Sequence, residues 1–278
     1  MRIMITGARG MLGRTLTHSL ASHDLSPVDI KDFDIADPLA VENAVASFQP
    51  ETVIHCAAMT AVDQAETAPD SAYRINAIGS ANLALACFKH QVRLIAFSTD
   101  YVFSGDLDRP YHEWDNPCPA TVYGLSKLAG EEAIRQHCPN HLICRLAWLY
   151  GPGGPSFLHT MLRLAGKPTR VVNDQFGNPT STLAVANYIP LLLDRPLAGT
   201  FHLTCEGEAS WFDFALEISS LFKREPLPTP CGSNDFPRPA KRPANSRLEK
   251  KHLRLLSMPA MPDWRQALRE FQAQYPEG

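Results

Sequence analysis

The sequence has no long apolar run, no CxxC pair and no excess of positive charge. Its longest apolar stretch, residues 183–193, is too short to cross a bilayer and contains Asn187 and Pro190. The seven cysteines are scattered and odd in number, which argues against a disulfide framework or a zinc site. A net charge of −3 gives no reason to expect nucleic acid or a membrane surface as a partner. With no signal peptide visible, we expect a soluble cytoplasmic protein with reduced thiols.

The first half of the chain alternates between short apolar segments and helix-like segments. Apolar segments at 2–6, 25–30, 52–56, 92–97 and 142–146 are typical of buried strands, and residues 69–90 predict one long helix. Strands that alternate with helices predict an α/β fold with a parallel sheet. The alternation weakens from Trp148 onwards. At 278 residues the chain can form one large domain or two unequal ones.

A glycine-rich turn follows the first predicted strand directly and opens a helix. Gly7, Gly10 and Gly13 have the spacing GxxGxxG, and a strand, a glycine turn and a helix in this order are typical of a dinucleotide site. Free N–H groups at the helix start favour a pyrophosphate. Asp29, at the end of the second predicted strand, is placed to accept the hydroxyls of an adenosine ribose. The alternatives are a glycine turn without a ligand and an ordinary surface turn at Asp29.

A tyrosine and a lysine stand four residues apart at the head of a predicted helix. Tyr123 and Lys127 therefore lie on one face, and the ammonium is expected to lower the pKa of the phenol, which would make Tyr123 a proton donor. The alternative is a solvated helix face with a chance pair. Ser98 and Thr99 follow the fourth predicted strand, at the sheet edge where α/β proteins place ligands.

Several motifs stand in one order, and together they resemble the extended short-chain dehydrogenase/reductase family. The motifs are the glycine turn, Ala57-Ala58, Ser98-Thr99-Asp100-Tyr101-Val102-Phe103, Tyr123xxxLys127 and Asn173-Asp174-Gln175-Phe176-Gly177. The glycine and YxxxK motifs specify only the superfamily. Residues 60–66, 98–103, 145–148, 173–177 and 242–248 are similar to members that reduce a dTDP-4-dehydro sugar.

The resemblance implies a Rossmann-like doubly wound parallel sheet with a smaller C-terminal substrate-binding lobe. Residues 1–147, with a returning segment near 180–205, would bind the dinucleotide, and residues 148–179 and 206–278 would form the lobe. The implied activity is reduction of the C4 ketone of dTDP-4-dehydro-L-rhamnose by NADPH or NADH, a step towards a cell-surface polysaccharide precursor. The implied catalytic residues are Thr99, Tyr123 and Lys127.

The same matching implies the binding residues. Those implied for the cofactor are Gly7, Gly10, Met11, Leu12, Gly13, Asp29, Asp34, Ile35, Ala58, Met59, Thr60, Tyr123 and Lys127. Those implied for the dTDP-sugar substrate are Thr99, Asp100 and Trp148. For Trp148, a core tryptophan beside the domain junction is the alternative.

Three departures from the family pattern bear on metal, oligomer and cofactor. The segment before the alanines is His55-Cys56, where the family often has asparagine. Some bacterial members place a glutamate, part of a magnesium site between subunits, where this chain has Thr15, so we expect no metal and a monomer or weak homodimer. Asp29 repels a 2′-phosphate whereas Lys31 attracts one, which leaves NADH and NADPH both open.

Two rival functions share these motifs. One is a nucleotide-sugar epimerase or dehydratase with tightly held NAD, in which Asp100 would supply the extra carboxylate beside Thr99. The other is a non-catalytic regulatory subunit that only binds a dinucleotide. The intact set of Thr99, Tyr123 and Lys127 argues against the second rival.

Overall fold

The computed structural model describes residues 1–277. Its strands are β1 (Arg2–Thr6), β2 (Asp24–Val28), β3 (Thr52–His55), β4 (Arg93–Thr99), β5 (His141–Leu146), β6 (Leu149–Tyr150), β7 (Arg170–Val172), β8 (Phe176–Gly177), β9 (Thr180–Ser181), β10 (Gly199–His202), β11 (Ala209–Ser210) and β12 (Thr229–Cys231). Its helices are α1 (Met11–Ser19), α2 (Pro38–Phe48), α3 (Val62–Thr67), α4 (Pro69–Tyr73), α5 (Gly79–Lys89), α6 (Val122–His137), α7 (Phe157–Arg163), α8 (Thr182–Leu193), α9 (Trp211–Leu221), α10 (Lys251–Leu255) and α11 (Trp264–Gln274).

A parallel sheet of six strands, in the order β2-β1-β3-β4-β5-β10, forms the centre of the structure. Both faces are covered, which explains why β1, β3, β4 and β5 are mainly apolar and buried, whereas the edge strand β2 is partly exposed. In β1, Ile3 and Ile5 face one core cluster and Met4 faces another on the opposite side. The winding reverses at β1, whose neighbours are β2 and β3, and ligands bind at such a switch point. The predicted doubly wound α/β fold is confirmed.

The C-terminal part adds three two-stranded pairs and several helices. The strand pairs are β6 with β9, β7 with β12 and β8 with β11. Phe214 of α9, Trp264 and Phe271 of α11 are fully buried, and they belong to the same apolar cluster as Ile3 and Ile5 of the sheet. One continuous core therefore joins this part to the sheet. Across residues 1–277, every helix is too short or too polar to span a membrane.

The long helix expected over 69–90 is interrupted. α4 and α5 are separated by a π-helical turn over Arg74–Ile78. In this turn the carbonyl oxygen of Asn76 approaches Gly130 of α6 so closely that a Cβ on Gly130 would lie 2.3 Å from it. The Asn76 side chain bonds both Met59 and Ser126. The turn serves polar contacts and close backbone packing. The spacing of apolar residues carries no information about either, so it does not predict the turn.

Candidate active site

Two adjoining cavities open at the carboxyl ends of β1, β3, β4 and β5. The larger has a volume of about 630 Å³ and the smaller about 460 Å³. They meet at the glycine turn, where both are lined by Gly7, Arg9, Gly10, Cys56 and Ala58. This is the edge of the sheet at which the winding reverses, so both cavities lie where an open α/β fold binds its ligand.

The glycine turn leaves room only for glycine at two of its positions. Gly7 has φ +67°, and a Cβ there would lie 2.6 Å from the backbone nitrogen of Ala57. A Cβ on Gly13 would lie 2.2 Å from the Gly7 carbonyl oxygen. The first bond of α1 runs from Arg14 N to Gly10 O, 2.9 Å, so the N–H groups of Met11 and Leu12 have no acceptor within the helix. A helix start with free N–H groups, beside a turn whose glycines leave the backbone accessible, fits a dinucleotide pyrophosphate.

The smaller cavity carries two carboxylates and two guanidinium groups. Asp29 accepts from the backbone nitrogens of Arg9, at 2.9 Å, and Ile30, at 2.8 Å. Asp34 is paired with Arg74 of the π-helical turn. Arg9 and Arg74 line this cavity, whereas Lys31 is not among the described lining residues. The positive charge near Asp29 therefore comes from Arg9 in the glycine turn and from Arg74, which is far away in the sequence.

Tyr123, Thr99 and Lys127 meet in the larger cavity. Thr121 caps α6 by accepting from Gly124 N at 3.1 Å, and the cap starts the helix just before Tyr123. A Cβ on Gly124 would lie 2.2 Å from the Tyr101 carbonyl oxygen, so glycine allows α6 to pack against the turn that follows β4. Tyr123 and Lys127 are buried in the protein but border the cavity. Lys127 Nζ donates to the Phe97 carbonyl oxygen at 2.8 Å.

The expectation that Lys127 lowers the pKa of Tyr123 is wrong. Burial raises the pKa of Tyr123 to about 12, and the hydroxyl of Thr99 only partly opposes this. Burial also lowers the pKa of Lys127 to about 8, against the charge of Glu131. The two side chains share a helix face, but the dominant influence on each is the loss of water.

Asp100 holds a buried carboxylate at the cavity wall. Thr99 Oγ1 donates to its Oδ1 at 2.9 Å, while Oδ2 is buried with no hydrogen-bond partner among residues 1–277. Burial raises the pKa of Asp100 to about 6, and the hydroxyls of Ser246 and Thr99 oppose the rise. An unpaired carboxylate oxygen at a cavity wall is suited to accept a hydrogen bond from a ligand hydroxyl.

Three partly exposed aromatic rings form one wall of the larger cavity. Trp148 and Trp211 are parallel, with ring centroids 3.4 Å apart and planes 3° apart. Phe157 packs against Trp211 at 4.5 Å. Trp148 is thus a cavity residue as well as a packed one, and this wall is a flat apolar surface.

The structure brings most of the predicted site residues to the two cavities. Those at the larger cavity are Gly7, Gly10, Met11, Leu12, Gly13, Ala58, Thr60, Thr99, Asp100, Tyr123, Lys127 and Trp148. Those at the smaller cavity are Gly7, Gly10, Asp29, Asp34, Ile35 and Ala58. Met59 is in neither lining as far as the described residues go; it packs against the cluster that contains Tyr123.

Sequence reasoning missed four prominent lining residues. Arg9, Arg74, Phe157 and Trp211 border the cavities. Arg9 lies inside the glycine motif, so its position in the sequence was a signal that could have identified it. The other three stand on helices whose patterns predicted only amphipathic packing, so the sequence carried no signal that singled them out.

The departures from the family pattern are accommodated by local bonds. His55 is buried, with Nδ1 2.8 Å from Thr6 Oγ1 and Nε2 3.1 Å from Ser80 Oγ. Thr15 Oγ1 donates to Thr182 Oγ1 at 3.0 Å. Within residues 1–277, no three histidine, cysteine, aspartate or glutamate side chains are grouped closely enough to hold a metal ion.

Comparison with known proteins identifies the family. The family model described as RmlD substrate binding domain matches residues 1–276. The chain belongs to this family. Within it, the dTDP-4-dehydrorhamnose reductase of Streptomyces griseus is 41% identical, with 97% of this chain and 92% of the relative covered.

Solved structures of the family agree along the whole length. A crystal structure of a dTDP-4-dehydrorhamnose reductase from Clostridium acetobutylicum has a TM-score of 0.97 and 41% identity, and covers 99% of this chain and 100% of its own. The enzyme from Bacillus anthracis, solved in complex with NADP, has a TM-score of 0.95 and 39% identity, with 98% and 99% covered.

Proposed function

We propose that the chain reduces the C4 ketone of dTDP-4-dehydro-L-rhamnose to dTDP-L-rhamnose with NADPH or NADH. The observation that carries the proposal is the meeting of Tyr123, Thr99 and Lys127 in a cavity that continues into the glycine turn. The family relatives named above support the substrate, and the NADP complex of one of them supports the cofactor.

The cofactor would lie across both cavities. Residues 1–147, with the returning segment near 180–205, would hold it, and the sugar nucleotide would bind to residues 148–179 and 206–278. The N–H groups of Met11 and Leu12 would hold the pyrophosphate, and Asp29 would accept the adenosine ribose hydroxyls. When bound, the reduced nicotinamide supplies a hydride.

Tyr123 would protonate the ketone oxygen as negative charge develops on it. A phenol with a pKa of about 12 stays protonated at neutral pH, so the donor is in the right state before the reaction. The single hydroxyl proton of Thr99, which in the structure is donated to Asp100 Oδ1, would turn to the same oxygen. The Lys127 ammonium is bonded to the Phe97 carbonyl oxygen, on the strand that ends at Thr99. It would stabilise the phenolate that remains on Tyr123 after the proton is transferred.

Asp100 and Trp148 would hold the sugar. The unpaired Oδ2 of Asp100 would accept a sugar hydroxyl, and the Trp148 ring would cover the apolar face and methyl group of the deoxysugar. One contact is polar and the other is apolar, so together they allow the sugar ring one orientation, and this orients the C4 carbonyl.

The test mixes the purified protein with dTDP-4-dehydro-L-rhamnose and each reduced cofactor in turn. Loss of nicotinamide absorbance, with dTDP-L-rhamnose identified by NMR, supports the reductase. Turnover of a dTDP-sugar without consumption of added cofactor, together with NAD released on denaturation, supports the epimerase or dehydratase instead. Dinucleotide binding with no turnover of any ketosugar supports the non-catalytic alternative.

A further inference from the structure

Three residues that are far apart in the chain hold the Trp148 indole. Trp211 is stacked on it at 3.4 Å. Gly177 approaches the Nε1–Cε2 side so closely that a Cβ would lie 2.3 Å from Cε2. Ser246 Oγ accepts from the indole Nε1 at 3.1 Å. The backbone of Trp148 itself has φ +48°, in the left-handed region. We call Trp148, Trp211, Gly177 and Ser246 the tryptophan clamp.

Backbone hydrogen bonds and a helix cap hold the three partners of Trp148 in place. Ser246 N donates to the Phe176 carbonyl oxygen at 2.8 Å, which ties Ser246 to the residue next to Gly177. Gly177 pairs with Ala209 in the β8–β11 ladder, and Ser210 and Asp213 form a capping box at the start of α9. The first helical residue after that cap is Trp211. The ring positions are therefore set by backbone structure and not by side-chain packing alone.

The conformation of Trp148 is one that a tryptophan seldom adopts. A left-handed backbone at a bulky residue is unfavourable, and it persists only where the surroundings impose it. Trp148 nevertheless remains partly exposed and borders the larger cavity. A tryptophan that served only the core would not need an unfavourable backbone to reach a cavity wall. Strain of this kind is concentrated at ligand sites.

The tryptophan clamp lies next to the reacting end of the cavity. Thr99 pairs with Leu146 in the β4–β5 ladder, and Trp148 follows two residues after Leu146. A ligand group at Trp148 is thus close to Thr99 and Tyr123. A flat aromatic surface suits both the thymine base and the apolar face and methyl group of the deoxysugar, whereas the pyrophosphate needs polar partners. The deoxyribose and the pyrophosphate separate thymine from the reacting ketone, so the part that lies beside Trp148 is the deoxysugar.

We propose that Trp211, Gly177 and Ser246 are positioning residues that hold the Trp148 indole in place, and that the held indole selects the deoxysugar part of the substrate. The inference rests on the proposed function and adds to it the residues that set sugar selectivity. The nucleotide part of the substrate gains nothing from the tryptophan clamp.

The test compares the dissociation constants of dTDP-L-rhamnose and of dTDP alone, measured by calorimetry. Trp211→Leu removes the stack and is expected to weaken dTDP-L-rhamnose about 10-fold while dTDP changes less than about 2-fold. Gly177→Ala, which displaces the indole, is expected to do the same. Trp211→Phe keeps an aromatic plane and should restore most of the affinity. Trp114→Leu, at a tryptophan that is 54% exposed on another loop, is the matched control and should change neither constant.

A packing role alone would give a different result. Equal weakening of dTDP-L-rhamnose and dTDP, or no change in either, overturns the inference. Thermal melting checks folding. If Trp211→Leu and Gly177→Ala do not fold, Ser246→Ala takes their place: it removes the acceptor of the indole N–H, together with the hydroxyl's own bond to the Phe176 carbonyl oxygen, and should weaken dTDP-L-rhamnose more than dTDP. Failure of the wild-type protein to reduce dTDP-4-dehydro-L-rhamnose would instead count against the proposed function, since the inference is read from the ratio of two binding constants.

Discussion

Lys127 donates its Nζ hydrogen bond to the carbonyl oxygen of Phe97, at 2.8 Å, two residues before Thr99. The bond ties the middle of α6 to the end of β4, so the proposed proton donor and the hydroxyl beside it are carried by two elements that are directly joined. It also places the buried ammonium beside the cavity with a neutral partner. A buried ammonium with a neutral partner loses its proton more easily than one in water.

Activity should fall as the pH rises through about 8. Burial lowers the pKa of Lys127 to about 8, so its charge is lost above that pH, while the Tyr123 phenol, with a pKa of about 12, stays protonated. The measurement is kcat/KM for the reduced cofactor between pH 6 and about 10, because this quantity reports the free enzyme. In Lys127→Arg the guanidinium keeps its charge, and the fall should move to higher pH. A fall at the same pH in that variant would assign it to another group.

Asp100→Asn should stabilise the protein near neutral pH while weakening substrate binding. Burial raises the pKa of Asp100 to about 6 from 3.8, so its carboxylate opposes folding at every pH above that range. Removing the charge should raise the free energy of unfolding by about 3 kcal/mol at most at pH 8, and the gain should shrink as the pH falls through 6 towards 4. Urea titrations at pH 8 and pH 4 measure it. A loss of stability at pH 8 would show that the carboxylate is favourably bonded.

The buried pair of Glu131 and Arg145 should be the most sensitive charged site for stability. Arg145 Nε and Nη2 donate to the two oxygens of Glu131 at 2.9 and 2.7 Å, and both side chains are 2% exposed. Glu131→Leu leaves the arginine buried and unpaired and should cost about 3–5 kcal/mol of unfolding free energy. Glu132→Leu, at an exposed neighbour on the same helix, should change stability by less than about 0.5 kcal/mol. Equal midpoints in urea for the two variants would contradict this.

The pair of Glu131 and Arg145 should also make the free energy of unfolding fall at acid pH. Burial raises the pKa of Glu131, but the bonds and charge of Arg145 outweigh burial and bring it to about 2, below the ordinary 4.5. The stabilisation is therefore complete above pH 4.5 and is lost as the pH falls through 2.

Thr99→Val should reduce turnover less than removal of the Tyr123 hydroxyl does. The variant loses one hydrogen bond to the ketone oxygen, worth about 10-fold in rate, but keeps the proton source. In the structure the same hydroxyl proton is donated to Asp100 Oδ1. Steady-state kcat with saturating substrate checks the order of the two effects. A larger loss in Thr99→Val than in Tyr123→Phe would move the proton-donating role towards Thr99.

The sheet and the glycine-turn side of the site could be predicted from the sequence, because both depend on local patterns. Apolar strands of a covered parallel sheet and the glycine turn after β1 are each contained in a few consecutive residues. The tryptophan clamp was not predictable in this way, since its members are separated by 29 to 98 residues and meet only through the β8–β11 ladder and the loop of Ser246. Helical spacing likewise placed Tyr123 and Lys127 on one face, but it carried no information about the Phe97 carbonyl or about burial.

The proton-donating role of Tyr123 is tested most directly by the hydride-transfer rate of Tyr123→Phe. Rapid mixing of saturating reduced cofactor and dTDP-4-dehydro-L-rhamnose, followed by nicotinamide absorbance, should show a rate at least about 100-fold below wild type, with cofactor affinity nearly unchanged. Tyr73→Phe, at an exposed tyrosine on α4, is the control and should keep the wild-type rate. A wild-type rate in Tyr123→Phe would contradict the account, because the phenol would then not supply the proton.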